Sequence, residues 1–321
     1  MKKRIGILAA GILFVLLAAY LGVSYVVYDK LSRVTPGGGD SARNTPDTFT
    51  NTYQEFASFD ETPYHMADYE AVRIPSRQKG IMLAGWYVPG KPDAPAIVIT
   101  HGLNGCKCDP NVLTIAGMLH RNGFNVLMYD MRNHGQSDID NGRAAIGNKE
   151  FQDVLGAWDW LIAEKGFTPG RIGLVGESLG AGTTLIAFGE EPRVAATWVD
   201  SPYSDLKEIM DEELARNNYP LILADGSIFV AKVMAGDDLL AHSPQEAILR
   251  DAGRPIFIVH GTGDQRINVH HTQQLADLAA ESNVNVSVWM PDGVGHVAAE
   301  FDLPQEYEHR LVAFFTGALG H

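Results

Sequence analysis

The pattern of hydrophobic positions separates an uninterrupted apolar segment at the start of the chain from an alternating region that fills most of the rest. Ile5–Tyr28 carries no charge and follows the basic stretch Met1–Arg4. A helix needs about 20 apolar residues to cross a bilayer, and this run exceeds that length. It therefore predicts a membrane anchor over residues 1–28. A cleaved secretory signal is the alternative, because Gly22-Val23-Ser24 offers a weak cleavage site.

The segment after the apolar run is polar and rich in residues that form turns. Thr35–Ser41 reads TPGGGDS, a composition that is typical of flexible linkers. We therefore expect a flexible stalk over residues 29–63 and a globular domain over residues 64–321.

In the globular part, short apolar runs with strand character alternate with longer runs of helical period. The predicted strands are Tyr69–Ile74, Ile81–Val88, Ala96–Thr100, Asn125–Tyr129, Arg171–Val175, Ala195–Val199, Pro255–Val259 and Val284–Met290. The predicted helices are Asn111–Asn122, Glu150–Lys165, Ser178–Glu190, Val269–Glu281 and Gln305–Leu319. We expect the first two strands to be antiparallel. The alternation predicts the α/β class, with a mostly parallel central sheet covered by helices on both faces.

One connection is too long for this pattern. About 50 residues separate Asp200 from Arg254, whereas a crossover between parallel strands needs far fewer. Tyr203–Leu240, inside this connection, is rich in apolar residues. We expect a lid insertion at about 203–250, since such insertions commonly cover a site. The alternative is a longer helical crossover that only packs on the sheet.

The candidate nucleophile lies where a predicted strand runs directly into a helix of small residues. Gly176-Glu177-Ser178-Leu179-Gly180 fits the G-x-S-x-G nucleophile elbow, which holds its serine in a strained turn with the hydroxyl exposed. Gly176 and Gly180 remove side chains where strand and helix come close. The pentapeptide alone also fits an ordinary strand-to-helix turn, so the assignment of Ser178 depends on its partners.

A serine hydroxyl needs a base, and the base needs a group that orients it. A parallel sheet gathers its site at the carboxyl ends of its strands, and two later predicted strands are followed there by Asp264 and His296. Ser178, Asp264 and His296 then occur in the serine–acid–histidine order of α/β-hydrolases. Asp200, at the end of the strand after the elbow, is the alternative acid.

Acyl transfer also needs donors for the oxyanion of the tetrahedral intermediate. The backbone N–H of Leu179, the residue after the candidate nucleophile, is one candidate. The loop His101–Gly105, which follows the predicted strand Ala96–Thr100, is the expected source of the second. Within that loop we assign the N–H of Leu103.

The composition of the chain limits the classes of molecule that the protein is expected to bind. The chain has 321 residues, 45% of them hydrophobic, and a formal net charge of -14. This acidic balance argues against a protein that binds nucleic acid or an anionic membrane surface. The two cysteines, Cys106 and Cys108, are too few for a disulfide scaffold or a structural zinc site. We expect them to be two thiols in a loop, and we expect no metal ion and no organic cofactor.

The chain resembles the α/β-hydrolase superfamily and, within it, the membrane-anchored Bem46-like and serine-aminopeptidase-like (S33-type) hydrolases. The matching segments are HGLNG (101–105), GFNVLMYDMRNHGQSD (123–138), IGLVGESLGAGTTL (172–185), VDSPYSDL (199–206), PIFIVHGTGD (255–264) and GVGH (293–296). They lie in order along nearly all of residues 71–319. The resemblance implies a structural role for the turn Asp130–Gly135. It gives no account of the Cys106-Lys107-Cys108 insertion.

These observations predict a serine hydrolase that is anchored in a membrane. Ser178 attacks an acyl carbonyl, His296 acts as base and then as acid, Asp264 orients the imidazole, and water releases the acyl-enzyme. A carboxylic ester, including a lipid ester, is the expected substrate. A serine aminopeptidase or amidase and an acyltransferase are alternatives that use the same three residues. A non-catalytic binding protein with this fold is an alternative of a different class.

The orientation in the membrane is predicted from the charges that flank the apolar run. The basic residues number three on each side, namely Lys2, Lys3 and Arg4 before it and Lys30, Arg33 and Arg43 after it. The count alone does not decide. Since the first three lie directly against the apolar run, as in export signals, we expect a single-pass protein of the cell membrane with its catalytic domain outside the cytoplasm.

Overall fold

Eight strands form a single sheet within the residues that the structure describes. The computed structural model covers residues 2–36 and 39–320. The strands are β1 (Glu70–Pro75), β2 (Met82–Val88), β3 (Ala96–Thr100), β4 (Asn125–Tyr129), β5 (Ile172–Glu177), β6 (Ala196–Asp200), β7 (Ile256–Val259) and β8 (Val286–Trp289). Their spatial order is β1-β2-β4-β3-β5-β6-β7-β8. β2 is antiparallel to β1 and β4, and the other neighbours are parallel, which confirms the predicted mostly parallel sheet.

Helices cover both faces of this sheet. They are α1 (Lys2–Ser32), α2 (Pro110–Arg121), α3 (Phe151–Lys165), α4 (Leu179–Glu190), α5 (Leu206–Arg216), α6 (Leu223–Val230), α7 (Pro244–Ile248), α8 (His270–Ser282), α9 (Ala299–Asp302) and α10 (Pro304–Leu319). A π-helical turn, Ala231–Ala235, extends α6. One core contains side chains of α3, α4 and α8, and the other contains side chains of α2, α9 and α10.

The continuous apolar character of β3 follows from its position between these two cores. Ala96 and Val98 lie in the core with α3, α4 and α8, whereas Ile97 and Ile99 lie in the opposite core. Successive side chains of a strand point to opposite faces, so a strand that is buried on both faces is apolar along most of its length. The same rule explains the apolar run Val126–Met128 in β4.

The turn Asp130–Gly135 is held by two buried ion pairs. Arg132 donates from Nη2 to Asp153 Oδ1 at 2.7 Å and from Nε to Asp153 Oδ2 at 2.9 Å, and both side chains are fully buried. Lys107 donates from Nζ to Asp130 Oδ2 at 2.6 Å. Buried charges are tolerated only when they are paired. The turn is therefore bound on both sides, to α3 and to the loop that contains the cysteines.

The segment before the domain differs from the flexible stalk that its composition indicated. Phe49 and Met66 are fully buried, Asn44 donates to the carbonyl of Cys108 at 3.2 Å, and Phe56 stacks on Phe301. The described residues 41–63 therefore lie against the domain, because their aromatic side chains find apolar partners on α2 and α9. Gly37 and Gly38, two of the three consecutive glycines that suggested flexibility, lie outside the described residues.

The long connection between β6 and β7 contains α5, α6, the π-helical turn and α7. We call residues 203–250 the lid. Tyr203, Ile209 and Met210 of this segment face a cavity that also contains Ser178. The connection thus forms part of the wall around the candidate nucleophile, and its role as a lid stays a prediction.

α1 is longer than the predicted anchor, since it runs from Lys2 to Ser32. By length and composition it could cross a membrane, and a signal sequence near the start of a chain has the same character. Its first half is exposed on all sides, with Ile5 60% and Phe14 72% exposed. Its second half contacts the lid through Ser24, Val27 and Tyr28, which are buried. α1 is thus part of the folded structure from about Tyr20 onward.

Candidate active site

The turn between β5 and α4 holds Ser178 in a strained conformation. β5 ends at Glu177 and α4 begins at Leu179, so Ser178 alone makes the turn, with φ 54° and ψ −117°. A Cβ at Gly176 would overlap the carbonyl of Gly180, and a Cβ at Gly180 would overlap the carbonyls of Thr100 and His101. The backbone can turn this sharply only because both positions are glycine.

The structure brings the side chains of Ser178, His296 and Asp264 together. His296 Nε2 lies 2.9 Å from Ser178 Oγ, and His296 Nδ1 lies 2.6 Å from Asp264 Oδ2. The alternative acid, Asp200, does not take part in this series of hydrogen bonds. Its Oδ1 accepts from the hydroxyl of Ser201 at 2.9 Å.

Asp264 is held by more donors than the sequence indicated. Its Oδ1 accepts from the backbone N–H groups of Arg266 and Ile267 at 2.7 and 2.9 Å. Its Oδ2 lies 3.1 Å from His260 Nε2 in addition to its contact with His296. Burial alone would raise the pKa of Asp264, but the hydrogen bonds from His260 and His296 outweigh it and hold the pKa well below its ordinary value.

His260 is the site residue that the sequence analysis missed, because nothing in its local sequence distinguishes it from a structural histidine in a loop. It is fully buried, and its Nδ1 lies 2.7 Å from the hydroxyl of Thr272. The available signal was its place in HGTGD, between the end of β7 and Asp264. His260 positions Asp264 and does not touch the hydroxyl of Ser178.

The predicted oxyanion loop lies against the nucleophile. A Cβ at Gly102 would come within 3.4 Å of Ser178 Cβ, and Leu103 borders the cavities on both sides of Ser178. Leu179 is the first residue of α4, so its N–H belongs to the helix turn that lacks intrahelical acceptors. His101 Nδ1 lies 2.7 Å from the carbonyl of Gly102, and His101 Nε2 accepts from Met131 N–H at 3.0 Å, which fixes the loop between strands.

Residues 110–321 match the model of the prolyl oligopeptidase family. The chain belongs to the prolyl oligopeptidase family. It is also 28% identical over 224 residues to protein MT2364 of Mycobacterium tuberculosis strain CDC 1551, covering 68% of this chain and 69% of that protein. The segment that matches the family model, residues 110–321, contains Ser178, Asp264 and His296, whereas Leu103 lies before it.

Solved structures agree on the fold. The esterase Pf2001 of Pyrococcus furiosus superposes with a TM-score of 0.64 at 22% identity, covering 86% of this chain and 98% of that one. The α/β-hydrolase GrgF of Penicillium superposes with a TM-score of 0.63 at 18% identity, covering 79% and 100%. The chain therefore has the α/β-hydrolase fold, as the superfamily resemblance predicted, and its family membership supports a hydrolase. The narrower resemblance to Bem46-like and S33-type hydrolases stays a prediction.

In this member of the prolyl oligopeptidase family, Ser178 stands between two cavities of opposite character. One cavity is apolar, and its walls come from the lid, the core and α1, with Leu31, Ile146, Tyr203, Ile209, Met210 and Ile267 among its lining residues. The other is polar and is lined by Tyr53, Glu55, Asp109, Asn111, Glu177 and His296. A bound ester would thus have different surroundings for its two halves.

Carboxyl groups without basic partners collect beside the polar cavity. Glu177 accepts from Asn111 Nδ2 at 2.6 Å through Oε2. Neither carboxylate oxygen of Glu300 is hydrogen-bonded to another described residue. Burial, and then the neighbouring Asp200, raise the pKa of both glutamates well above the ordinary value. Burial likewise raises the pKa of Asp109 to about 6. Burial therefore favours the neutral form of both glutamates.

Two groups of side chains are close enough together to be candidate metal donors. Cys106 and Cys108 lie near Asp109, but they form a disulfide, which corrects the expectation of two thiols. Their Cα atoms are 5.0 Å apart across Lys107, whose side chain is fixed on Asp130. Glu208, His270 and His271 form the second group. There the histidine rings stack at 4.4 Å, and His270 Nε2 lies 3.0 Å from Glu208 Oε1.

Glu300→Gln should stabilise the protein increasingly as pH rises. Below the ordinary carboxyl pKa of about 4.3, Glu300 is protonated in both the folded and the unfolded state, so its ionisation affects neither. Above that pH the unfolded state releases the proton while the folded state retains it, and the free energy of unfolding falls. Glutamine does not ionise, so the variant does not lose this stability as the pH rises. Denaturant unfolding at pH 5 and pH 8 measures the difference between variant and wild type.

The exposed Glu281 on α8 provides the matched control. Glu281→Gln should show no such growth between the two pH values. An equal response of the two variants would mean that Glu300 ionises freely in the folded protein.

Proposed function

We propose that the chain is a membrane-anchored serine hydrolase that cleaves a carboxylic ester, with Ser178, His296 and Asp264 as its catalytic triad. The observation that supports this most directly is the hydrogen-bonded series from Ser178 Oγ to His296 at 2.9 Å and from His296 to Asp264 at 2.6 Å. The serine of this series stands at the tip of a strained turn. A hydrogen-bonded base that is itself oriented by a carboxylate is the arrangement that activates a serine hydroxyl.

In the proposed reaction, His296 Nε2 takes the proton of Ser178 Oγ as the oxygen attacks the acyl carbonyl. The N–H groups of Leu103 and Leu179 stabilise the oxyanion. His296 then returns the proton to the departing alcohol, which leaves an acyl-enzyme that water hydrolyses by the same steps. Asp264 stays ionised throughout, because its pKa is held well below the ordinary value, and so stabilises the imidazolium.

The two cavities favour an ester with an apolar acyl group and a polar alcohol. The side chains of Ile209, Met210 and Tyr203 offer apolar surface to the acyl chain. On the other side of Ser178, Asn111 and the carboxyl groups of Asp109 and Glu177 can hydrogen-bond to hydroxyls of the leaving group. That Pf2001 is an esterase with this fold agrees with an ester substrate.

Peptide or amide cleavage is the second candidate, because the matching family model is that of prolyl oligopeptidases. The carboxyl groups in the polar cavity would then face an ammonium or amide group. Aminoacyl anilides and esters of the same alcohol size, assayed side by side, distinguish the two. A higher kcat/KM on the anilides would identify the enzyme as an amidase or peptidase and contradict the ester proposal. When an alcohol acceptor is added to the same assay, formation of its ester reveals acyl transfer.

We propose further that α1 anchors the enzyme in the cell membrane with the catalytic domain outside the cytoplasm. The disulfide between Cys106 and Cys108 supports this side, since disulfides persist in oxidising compartments. Protease added to intact cells should digest the domain. Protection until the membrane is broken would reverse the orientation, and an already soluble domain would identify α1 as a cleaved signal.

Ser178→Ala should abolish ester hydrolysis, with a loss on the order of 10⁶ in kcat, and should leave the fold intact because the side chain lies at a turn tip. Asp264→Asn should lower kcat by roughly 10⁴ through the wrong histidine tautomer. Both are measured on purified protein with a chromogenic ester.

Asp200→Asn is the control for the acid, since Asp200 is buried nearby but does not contact His296. Its loss should be far smaller than that of Asp264→Asn. If Asp200→Asn causes the larger loss of kcat, Asp200 and not Asp264 is the catalytic acid.

The apolar cavity should make kcat/KM rise from acetyl to octanoyl esters, because each buried methylene contributes about 0.8 kcal/mol. Ile209→Trp should fill the cavity and remove this rise while acetyl esters are still cleaved. Leu249→Trp, at an exposed lid position outside the cavity, is the control and should keep it. A wild-type rate that falls steadily with chain length contradicts the assignment of the cavity.

A further inference from the structure

α1 is fixed to the lid by specific contacts along its second half. Tyr20 donates from its hydroxyl to the carbonyl of Ile222 at 2.8 Å. The hydroxyl of Ser227 donates to the carbonyl of Ser24 at 3.0 Å. The hydroxyl of Tyr28 donates to Asp237 Oδ2 at 2.7 Å, and this pair is buried. The position of the lid relative to the helix is therefore set by the fold.

The length of α1 gives the height of these contacts above the bilayer. A hydrocarbon core of about 30 Å is spanned by about 20 residues at 1.5 Å each. Counted from Ile5, the first residue after the basic stretch, that span ends near Ser24. Tyr20 and Ser24 are thus in the last turns inside the membrane. The lid residues that touch them, around Ile222 and Ser227, must lie at the membrane surface.

An exposed apolar strip runs along the lid at this height. Its residues, which we call the lid strip, are 53–68% exposed: Leu221, Ile222, Phe229, Val233 and Met234. Ile222, Phe229 and Val233 are spaced for one face of a helix. That face adjoins Gly226, where an added Cβ would overlap Ser24 and Tyr20 of α1. The lid strip therefore continues the apolar surface of the anchor.

α1, which lies beside this strip, also reaches the cavity that contains the nucleophile. Leu31, which lies two turns beyond Ser24, lines the apolar cavity together with Ser178 and the lid residues Ile209 and Met210. Seven residues of helix correspond to about 10 Å. The cavity is thus close to the membrane surface, and one of its walls is the end of the anchor.

We propose that the lid strip is inserted in the leaflet that adjoins the catalytic domain, and that the cavity receives its ester from that leaflet. The substrate class is then a membrane-borne ester with an apolar acyl chain. This inference rests on the proposed ester hydrolysis and on α1 as an anchor. Its occupant is the bilayer, because the strip lies beside the part of α1 that the bilayer surrounds and contacts of this kind bury apolar surface at the interface.

The position of the strip is tested by labelling the full-length chain in phosphatidylcholine vesicles. The two native cysteines are joined to each other, so a cysteine placed by Phe229→Cys is the single site for a fluorophore. Nitroxide-bearing phospholipid should quench a label at position 229. It should not quench a label placed by Leu249→Cys, which is an exposed lid position on the side of α7. Equal quenching, or none, at both positions overturns the proposal.

The route of the substrate is tested with two esters of the same acyl group, one soluble in water and one held in the vesicles. Phe229→Asp should lower kcat/KM on the vesicle-borne ester by about tenfold, because it removes one large apolar contact. It should leave turnover of the soluble ester within about twofold. Leu249→Asp should change neither. An equal loss on both esters for Phe229→Asp would show a folding defect or a catalytic role and would overturn the proposal.

The remaining outcomes separate this inference from the one on which it rests. Wild-type protein that hydrolyses neither ester would refute the proposed function, while quenching at position 229 alone would still support insertion of the strip. Dimers in which position 229 is shielded without lipid quenching would identify a second copy as the occupant and would overturn the proposal. Hydrolysis of the soluble ester alone would refute delivery from the leaflet.

Discussion

The close approach of β5 and α4 at Ser178 is the constraint on which the rest of the structure depends. Only glycine fits at positions 176 and 180, and the serine between them has a positive φ. β5 lies between β3 and β6 in the sheet, so the loop after β3 meets the serine on one side. The loops after β7 and β8 meet it on the other, which is how Asp264 and His296 reach it from sequence positions far away. Since all these strands are parallel, their carboxyl ends share one edge, and the site needs no further element to assemble it.

The pKa values of two sets of buried carboxyl groups are shifted in opposite directions. Asp264 receives hydrogen bonds from two histidines and two backbone N–H groups, and its pKa is lowered despite burial. Glu177 and Glu300 have no basic partner, and their pKa values are raised. The negative charge of the site is therefore concentrated beside His296, where an imidazolium would form. Neutral carboxyl groups next to Ser178 would leave the oxyanion without a repelling charge.

The sequence predicted those parts of the molecule that local pattern determines. β4 was predicted with its observed bounds, and Ser178, Asp264 and His296 were placed at strand ends because a parallel sheet gathers them there. Two features depended on contacts between distant segments and could not be predicted locally. The glycine run of residues 35–41 suggested flexibility for a whole segment, yet Phe49 and Phe56 lie against the domain. His260 reads as an ordinary loop histidine until the fold shows Asp264 beside it.

The same limitation applies to α1, whose contact with the lid its sequence did not reveal. Tyr20, Ser24 and Tyr28 recur every fourth residue and so share one face of the helix, but this local pattern does not show which distant segment that face contacts. In the structure these three residues bind the lid, and Leu31 reaches the cavity of Ser178. A helix that only tethers a domain can be exchanged for another of equal length. This helix cannot, because its sequence forms part of the lid contact and of the cavity wall. In the proposed anchored enzyme, anchoring and substrate access would be properties of one element, and α1 itself would set the distance between membrane and nucleophile.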